Sequence, residues 1–184
     1  MIFTETPLSG GYLIEPERHE DLRGHFARIW CEREFADHGL STALVQVNVG
    51  YSTRKGTLRG MHYQTAPHAE VKLVRCTRGA VYDVMVDLRH DSPTHCQWYG
   101  TELTPDNGRM LYIPEGFGHG YLTLTDDAEI SYQTSHTYAA SAATGVAYDD
   151  PAFGIDWPMA PAVLSDADRA WPRYVPETAE EPTP

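Results

Sequence analysis

From Tyr12 to Thr134 the chain breaks into short runs of β-forming residues, and Gly- or Pro-containing turns cut these runs at roughly eight- to twelve-residue spacing. A chain cut this often cannot build long helices or a βαβ repeat, so it must bury its apolar faces in a sandwich or barrel of antiparallel strands. The runs are Tyr12–Ile14, 25–30, Leu44–Val49, 71–76, 80–88, 97–103, 109–113, 121–124 and 128–138, with turns at 21–24, 78–79, 92–94, 105–108 and 126–127 and a tight loop over 114–120. Two short helices are expected at the periphery: 32–39, stopped by Gly39, and a segment within 164–172 that Ser165 can cap. The reading is all-β, a barrel or sandwich with short peripheral helices. Residues 1–172 form one domain, and 173–184, with three prolines and three glutamates, form an acidic tail, exposed or disordered.

Side-chain parity then asks which polar residues point inward. Successive strand residues face opposite ways. In Leu44–Val49, Gln46 and Asn48 share one face and Val45, Val47 and Val49 the other. In the next runs Lys72 is in line with Val74 and Cys76, while Tyr82, Val84, Val86 and Leu88 form an apolar face. A lysine on an apolar row must either snorkel from an edge or enter a polar cavity, because an unpaired buried charge is costly. His62 lies in another β run, MHYQ, after a loop holding Arg54, Lys55 and Arg59.

That loop is the densest positive patch in a chain of formal net charge −12, with 26 acidic against 14 basic residues. Such a balance gives no basic stripe for nucleic acid, so an anionic ligand has to be held by a few placed Arg and Lys side chains. Three cysteines without CxxC spacing suit free thiols in a reducing compartment. No basic-then-apolar leader follows Met1, and no run nears the ~18–20 apolar residues of a membrane helix, so a soluble cytoplasmic protein is expected, with no membrane or nucleic-acid partner.

His62, Lys72, Tyr132 and an acid elsewhere in the chain suit proton abstraction beside a carbonyl: an imidazole base, a carboxylate behind it, a cation for the enolate oxygen and a phenol to return the proton. The competing chemistry is a metal site drawn from His62, His68, Glu70 and His119, since PEGFGH (114–119) has the PxGxxH form of a cupin metal loop. The His-x5-His-x-Glu spacing of the other three lacks the His-x-His that such a site requires. A third possibility is a binding protein without activity.

Beyond these separate features, DLRGHF (21–26), QVNVGYSTRKGTLRGMHYQ (46–64), KLVRCTRGAVYDVMVDLRHDSPT (72–94), IPEGFGHGYLTL (113–124), the Tyr132/Tyr138 pair, DDPAFGIDWP (149–158) and LSDAD (164–168) stand in the order in which they occur in one family. Over residues 4–172 the chain resembles the dTDP-4-dehydrorhamnose 3,5-epimerases, cofactor-independent sugar-nucleotide epimerases with a cupin-type jelly roll. The resemblance implies His62 as general base, Asp168 as its carboxylate partner (with Asp166 a near rival), Tyr132 as the acid on the opposite face and Lys72 beside the 4-keto oxygen. It also implies Tyr138 stacked on the nucleotide base, with Arg23, Gln46, Asn48, Arg59 and His119 on the diphosphate, sugar or base. Neither metal nor organic cofactor is implied. A nucleotide-sugar substrate is, and so is a homodimer that exchanges N-terminal strands, so that Arg23 serves the second copy's site. Three positions depart from the family pattern: Arg28 and Ala143 stand where Glu is usual, and Ala167 where Lys is usual. They bear on ligand preference rather than on proton transfer.

Overall fold

The computed structural model describes residues 1–175. In chain order the elements are β1 (Ile2–Glu5), β2 (Tyr12–Glu15), β3 (Arg18–Asp21), β4 (Gly24–Ala27), α1 (Glu32–Asp37), β5 (Gln46–Ser52), β6 (Leu58–Gln64) and β7 (Lys72–Arg78). They continue as β8 (Val81–Asp87), β9 (Trp98–Leu103), β10 (Met110–Ile113), β11 (Phe117–Thr123), β12 (Ala128–Thr134), β13 (Ala143–Gly145) and α2 (Asp166–Ala170). One sheet has the order β1-β2-β10-β7-β12-β5 and the other β13-β6-β11-β8-β9. The strand pairs of both sheets are antiparallel, and the order interleaves strands distant in sequence, as in a jelly-roll sandwich.

The main core lies between the sheets: Val74, Cys76, Leu111 and Ile130 from one meet Val81, Met85, Phe117 and Leu103 from the other. The outer face of the second sheet is also covered. Val84, Val86 and Met61 pack beneath Val146, Phe153 and Trp157, contributed by the chain after β13. Hence nearly all of β8 is buried on both faces, not only on the row from Tyr82 to Leu88. Helix α1 covers part of the first sheet's outer face, through Phe35 against Ile14, Leu73 and Tyr112.

Several expected boundaries move. The strand expected over 25–30 is only β4, which pairs with β3 alone as a hairpin and leaves Phe26 and Leu22 exposed. The loop expected over 114–120 is strand from Phe117 onward; Gly118 and Gly120 continue the ladder to β8, because close packing rather than a turn calls for glycine there. The strand expected to reach 138 ends at Thr134, so Tyr138 lies on the segment beyond it. The stretch after 139 holds the short strand β13, an edge addition to β6. Gly39 stops α1 at φ +69°, and Ser165 Oγ caps α2 by accepting from the Asp168 N–H at 3.0 Å. Of the stretch read as a tail, Tyr174 is anchored: its N–H donates to Asp150 Oδ2 at 2.5 Å, and its hydroxyl lies 2.7 Å from His95 Nε2. Residues 176–184 lie outside the described residues.

One close approach positions the site. Gly60 has φ +150°, and a Cβ there would lie 2.5 Å from the Gly120 Cα. Glycine at both positions lets β6 and β11 come together where His62 faces His119. Gly60→Ala is therefore expected to cost at least about 2 kcal/mol, a melting-point drop of roughly 4–8 °C in a thermal scan.

Candidate active site

Between the two sheets opens a cavity of about 560 Å³, within the range of small-ligand sites. Strand register decides what points into it. On the first sheet, Tyr132 of β12 is paired with Val74 of β7 on one side and Asn48 of β5 on the other; Lys72 is two residues from Val74 and faces the same way. On the second sheet, His62 of β6 is the direct partner of His119 of β11, and Arg59 that of Tyr121. Arg59, His62, Lys72, His119, Tyr132, Tyr138 and Asp168 all line the cavity.

His62 and Asp168 form a pair, Nε2 to Oδ1 at 2.5 Å, with the carboxylate almost fully buried and the imidazole 43% exposed. A carboxylate only accepts, so Nε2 carries the proton and Nδ1 is left as the basic nitrogen. Asp168 also accepts from Ser165 Oγ at 2.8 Å and Trp171 Nε1 at 3.3 Å. Burial works against its charge, but the bonds from His62, Ser165 and Trp171 prevail and hold its carboxyl below the usual range. The rival Asp166 sits exposed on the first turn of α2. Helix α2 thus exists to deliver one carboxylate: its cap, its buried residue and the His62 partner are Ser165, Asp168 and Asp168 again.

Lys72 enters the cavity, with its side chain 9% exposed. Its Nζ donates to the His62 carbonyl at 3.2 Å and lies 3.3 Å from Glu70 Oε1. Burial pushes its pKa down, and the charges of Glu70 and Asp83 oppose that. The Tyr132 phenol is pushed up, by burial first and then by Glu70, with Arg59 acting the other way. His119 Nε2 lies 3.0 Å from Asp83 Oδ1, and both residues are buried. Arg59 uses Nε on Ser52 Oγ and one Nη2 hydrogen on the Tyr51 carbonyl, leaving further guanidinium donors for an anion.

The other expected contact residues sit elsewhere. Gln46 and Asn48 bond each other at 2.9 Å, and Gln46 Oε1 accepts from the Tyr138 N–H at 3.2 Å, so they support the Tyr138 segment rather than line the cavity. Arg23 does not reach this chain's cavity: it lies on the projecting β3–β4 hairpin, 89% exposed and paired with Asp21. That position is compatible with the expectation that Arg23 serves a second copy's site: the hairpin pairs β3 with β4 and, among the described residues, with no other strand. Of the residues that break the family pattern, Ala143 and Ala167 line the cavity, whereas Arg28 bonds Glu34 at 2.8 Å outside it.

The side chains weighed as metal ligands are drawn to different partners: His62 to Asp168, His119 to Asp83, Glu70 to Lys72, and the His68 ring edge-on to His136. Among the described residues no group of three or more His, Cys, Asp or Glu is placed to hold one ion. Gln64 and Trp171 are among the lining residues that the sequence does not single out. Gln64, buried, donates to the carbonyls of His68 and Thr137 and accepts from the Ala139 N–H, so it brackets Tyr138. Trp171 stands edge-on to His62 at 6.0 Å between centroids. Gln64 shares the parity of His62, a signal present in MHYQ; Trp171 carries none, since it arrives through α2.

A jelly roll in which a histidine of one sheet is paired with a helix-borne carboxylate, facing a buried lysine and a phenol on the other sheet, defines the class of cupin-type proteins equipped for proton transfer. The comparisons narrow the class. The family described as dTDP-4-dehydrorhamnose 3,5-epimerase matches residues 5–175. A protein of that name from Sinorhizobium fredii is 43% identical over 173 residues, covering 94% of this chain and 89% of its own. The crystal structure of the enzyme of that name from Elizabethkingia anophelis superposes with a TM-score of 0.92 at 39% identity, covering 95% of this chain and 96% of its own. One from Bacillus anthracis, with TDP and PPi bound, gives 0.90 at 40% identity over 94% of this chain and 99% of its own. This chain belongs to the dTDP-4-dehydrorhamnose 3,5-epimerase family.

Proposed function

We propose that the protein is a cofactor-independent epimerase of a dTDP-linked 4-keto-6-deoxyhexose in deoxysugar biosynthesis, inverting C3, C5 or both. The observation that carries this reading is the facing arrangement: base and carboxylate on one side of a single cavity, phenol and ammonium on the other. His62 takes the proton α to the 4-keto group through Nδ1, and Asp168 stabilises the imidazolium formed. Lys72 neutralises the growing enolate oxygen. Tyr132 gives a proton to the opposite face and inverts the carbon. Arg59 holds the diphosphate and Tyr138 stacks on the base, with Gln46 and Asn48 fixing its segment; His119, set by Asp83, contacts the sugar. The test is mass spectrometry of the sugar nucleotide after incubation in D2O: one mass unit is gained per exchanged carbon, and no gain across a range of such substrates overturns the proposal.

We also propose a homodimer in the cytoplasm. The three cysteines are free thiols, which suits a reducing compartment, and among the described residues no helix is long and apolar enough to cross a membrane. Strand β5 ends its sheet with Val45, Val47 and Val49 53–63% exposed, an apolar row that a second copy would cover. The β3–β4 hairpin, with Phe26 and Leu22 also exposed, would carry Arg23 into the other copy's cavity. Val45→Asp with Val47→Asp is expected to give a monomer by light scattering, with activity reduced at least tenfold; an unchanged dimer contradicts this interface.

A further inference from the structure

Glu70 enters the sequence reading only as a candidate metal ligand, and the structure gives it a different setting. Its side chain is 11% exposed, it lines the cavity, and its two oxygens are separately employed. Oε1 lies 3.3 Å from Lys72 Nζ, and Oε2 accepts from Gln64 Nε2 at 3.2 Å. Gln64 is itself fixed by the loops on either side of Tyr138, so the carboxylate has little freedom to turn away. The ammonium it faces is held on its other side by the His62 carbonyl, the backbone of the residue read as the base.

Other charges reach the same space. From the second sheet, Asp83 of β8 adds a negative charge near Lys72 but is bonded to His119 of β11. Tyr121, also of β11, is a neutral phenol pushed up by burial first. From β6 come Arg59, whose positive charge acts on Tyr132 against that of Glu70, and His62, bonded to Asp168. Glu70 is thus the carboxylate in direct contact with the Lys72 ammonium.

Resting on the epimerase reading, we infer that Glu70 is a positioning residue for the reaction: it clamps the Lys72 ammonium beside His62 and keeps it charged. Removing the carboxylate charge makes the ammonium lose its proton at lower pH, so the alkaline limb of activity moves toward neutrality.

The test is Glu70→Gln, which keeps the shape of the side chain. The Lys72 titration is followed by lysine-selective carbon NMR, assigned with Lys72→Met, alongside the pH profile of kcat/KM. The Lys72 midpoint and the alkaline limb are each expected to fall by about one pH unit or more, while KM changes less than about threefold because the phosphate contacts of Arg59 are untouched. Glu70→Asp, which retains the charge, is expected to keep the midpoint within about half a unit of wild type, and it carries the test if the Gln variant does not fold. An unshifted midpoint in folded Glu70→Gln, or a rate loss of equal proportion at every pH, overturns the inference. The NMR titration needs no turnover, so a wild-type protein without epimerase activity counts against the proposed function and not against Glu70.

Discussion

His62→Ala is expected to abolish solvent exchange at both carbons flanking the ketone, with kcat/KM down by about 10³-fold or more. A positioned general base contributes about 10²–10⁴-fold, so the expected loss is roughly 4 kcal/mol or more of transition-state stabilisation at 1.36 kcal/mol per decade. The fold should survive, because the imidazole is 43% exposed and its backbone ladder to β11 and β13 is untouched. Asp168 keeps Ser165 and Trp171 as donors but loses its strongest partner, so a stability loss of about 1–3 kcal/mol accompanies the catalytic one. Asp168→Asn tests the same pair from behind. It retains the volume but not the charge that steadies the imidazolium, and a loss of about 10²-fold is expected. The folded Asp168 carboxyl titrates below its unfolded value, so the stability it contributes is fully present above the unfolded value near about pH 3.9 and is lost as pH falls through the lower, folded one. Its charge is therefore constant across the neutral range. A circular dichroism melt beside the exchange assay separates the stability loss from the catalytic one.

Tyr132→Phe is expected to behave differently, and the difference is the more informative result. The ring packs against the core between Val74 and Asn48, and phenylalanine preserves that packing. Only the hydroxyl is lost. His62 still removes the proton and returns one from solvent to the same face, so deuterium enters the substrate while inversion falls by at least about 10²-fold. Parallel loss of exchange and inversion in this variant would mean that Tyr132 acts before proton removal, as a binding or positioning group, and would contradict the two-sided mechanism. Because burial and Glu70 both favour the protonated phenol, the wild-type ratio of inversion to exchange should hold through neutral pH.

Much of this architecture was legible before any coordinates. Turn spacing implies a sandwich or barrel of antiparallel strands, and the parity of Lys72 with Val74 puts the lysine on an inward row. Parity is silent about which row of a strand faces in, and β5 shows the cost: its valines, the more apolar row, are the exposed ones, because β5 is an edge strand and, among the described residues, no element covers its outer face. Glycines misled for a related reason. In 114–120 they read as a turn, whereas Gly118 and Gly120 serve strand–strand contact. The pairing of His62 with Asp168 spans 106 residues and depends on the docking of α2, which no local pattern encodes; it came through the resemblance. Arg23 lies on the β3–β4 hairpin outside this chain's cavity, a position that strand parity does not encode. The alanines at 143 and 167 put methyl groups on the cavity wall at positions where the family pattern has charged side chains.

In the proposed mechanism, one cavity removes a proton from one face of a sugar carbon and supplies another to the opposite face. Proton NMR of a dTDP-4-keto-6-deoxyhexose incubated with the wild-type protein in D2O tests it most directly, since it reads reaction, position and stereochemistry in one spectrum. The predicted result is loss of the proton signal at C3, C5 or both, together with product couplings of inverted configuration at the exchanged carbon. Unchanged signals at both carbons, or exchange with configuration fully retained, would contradict it.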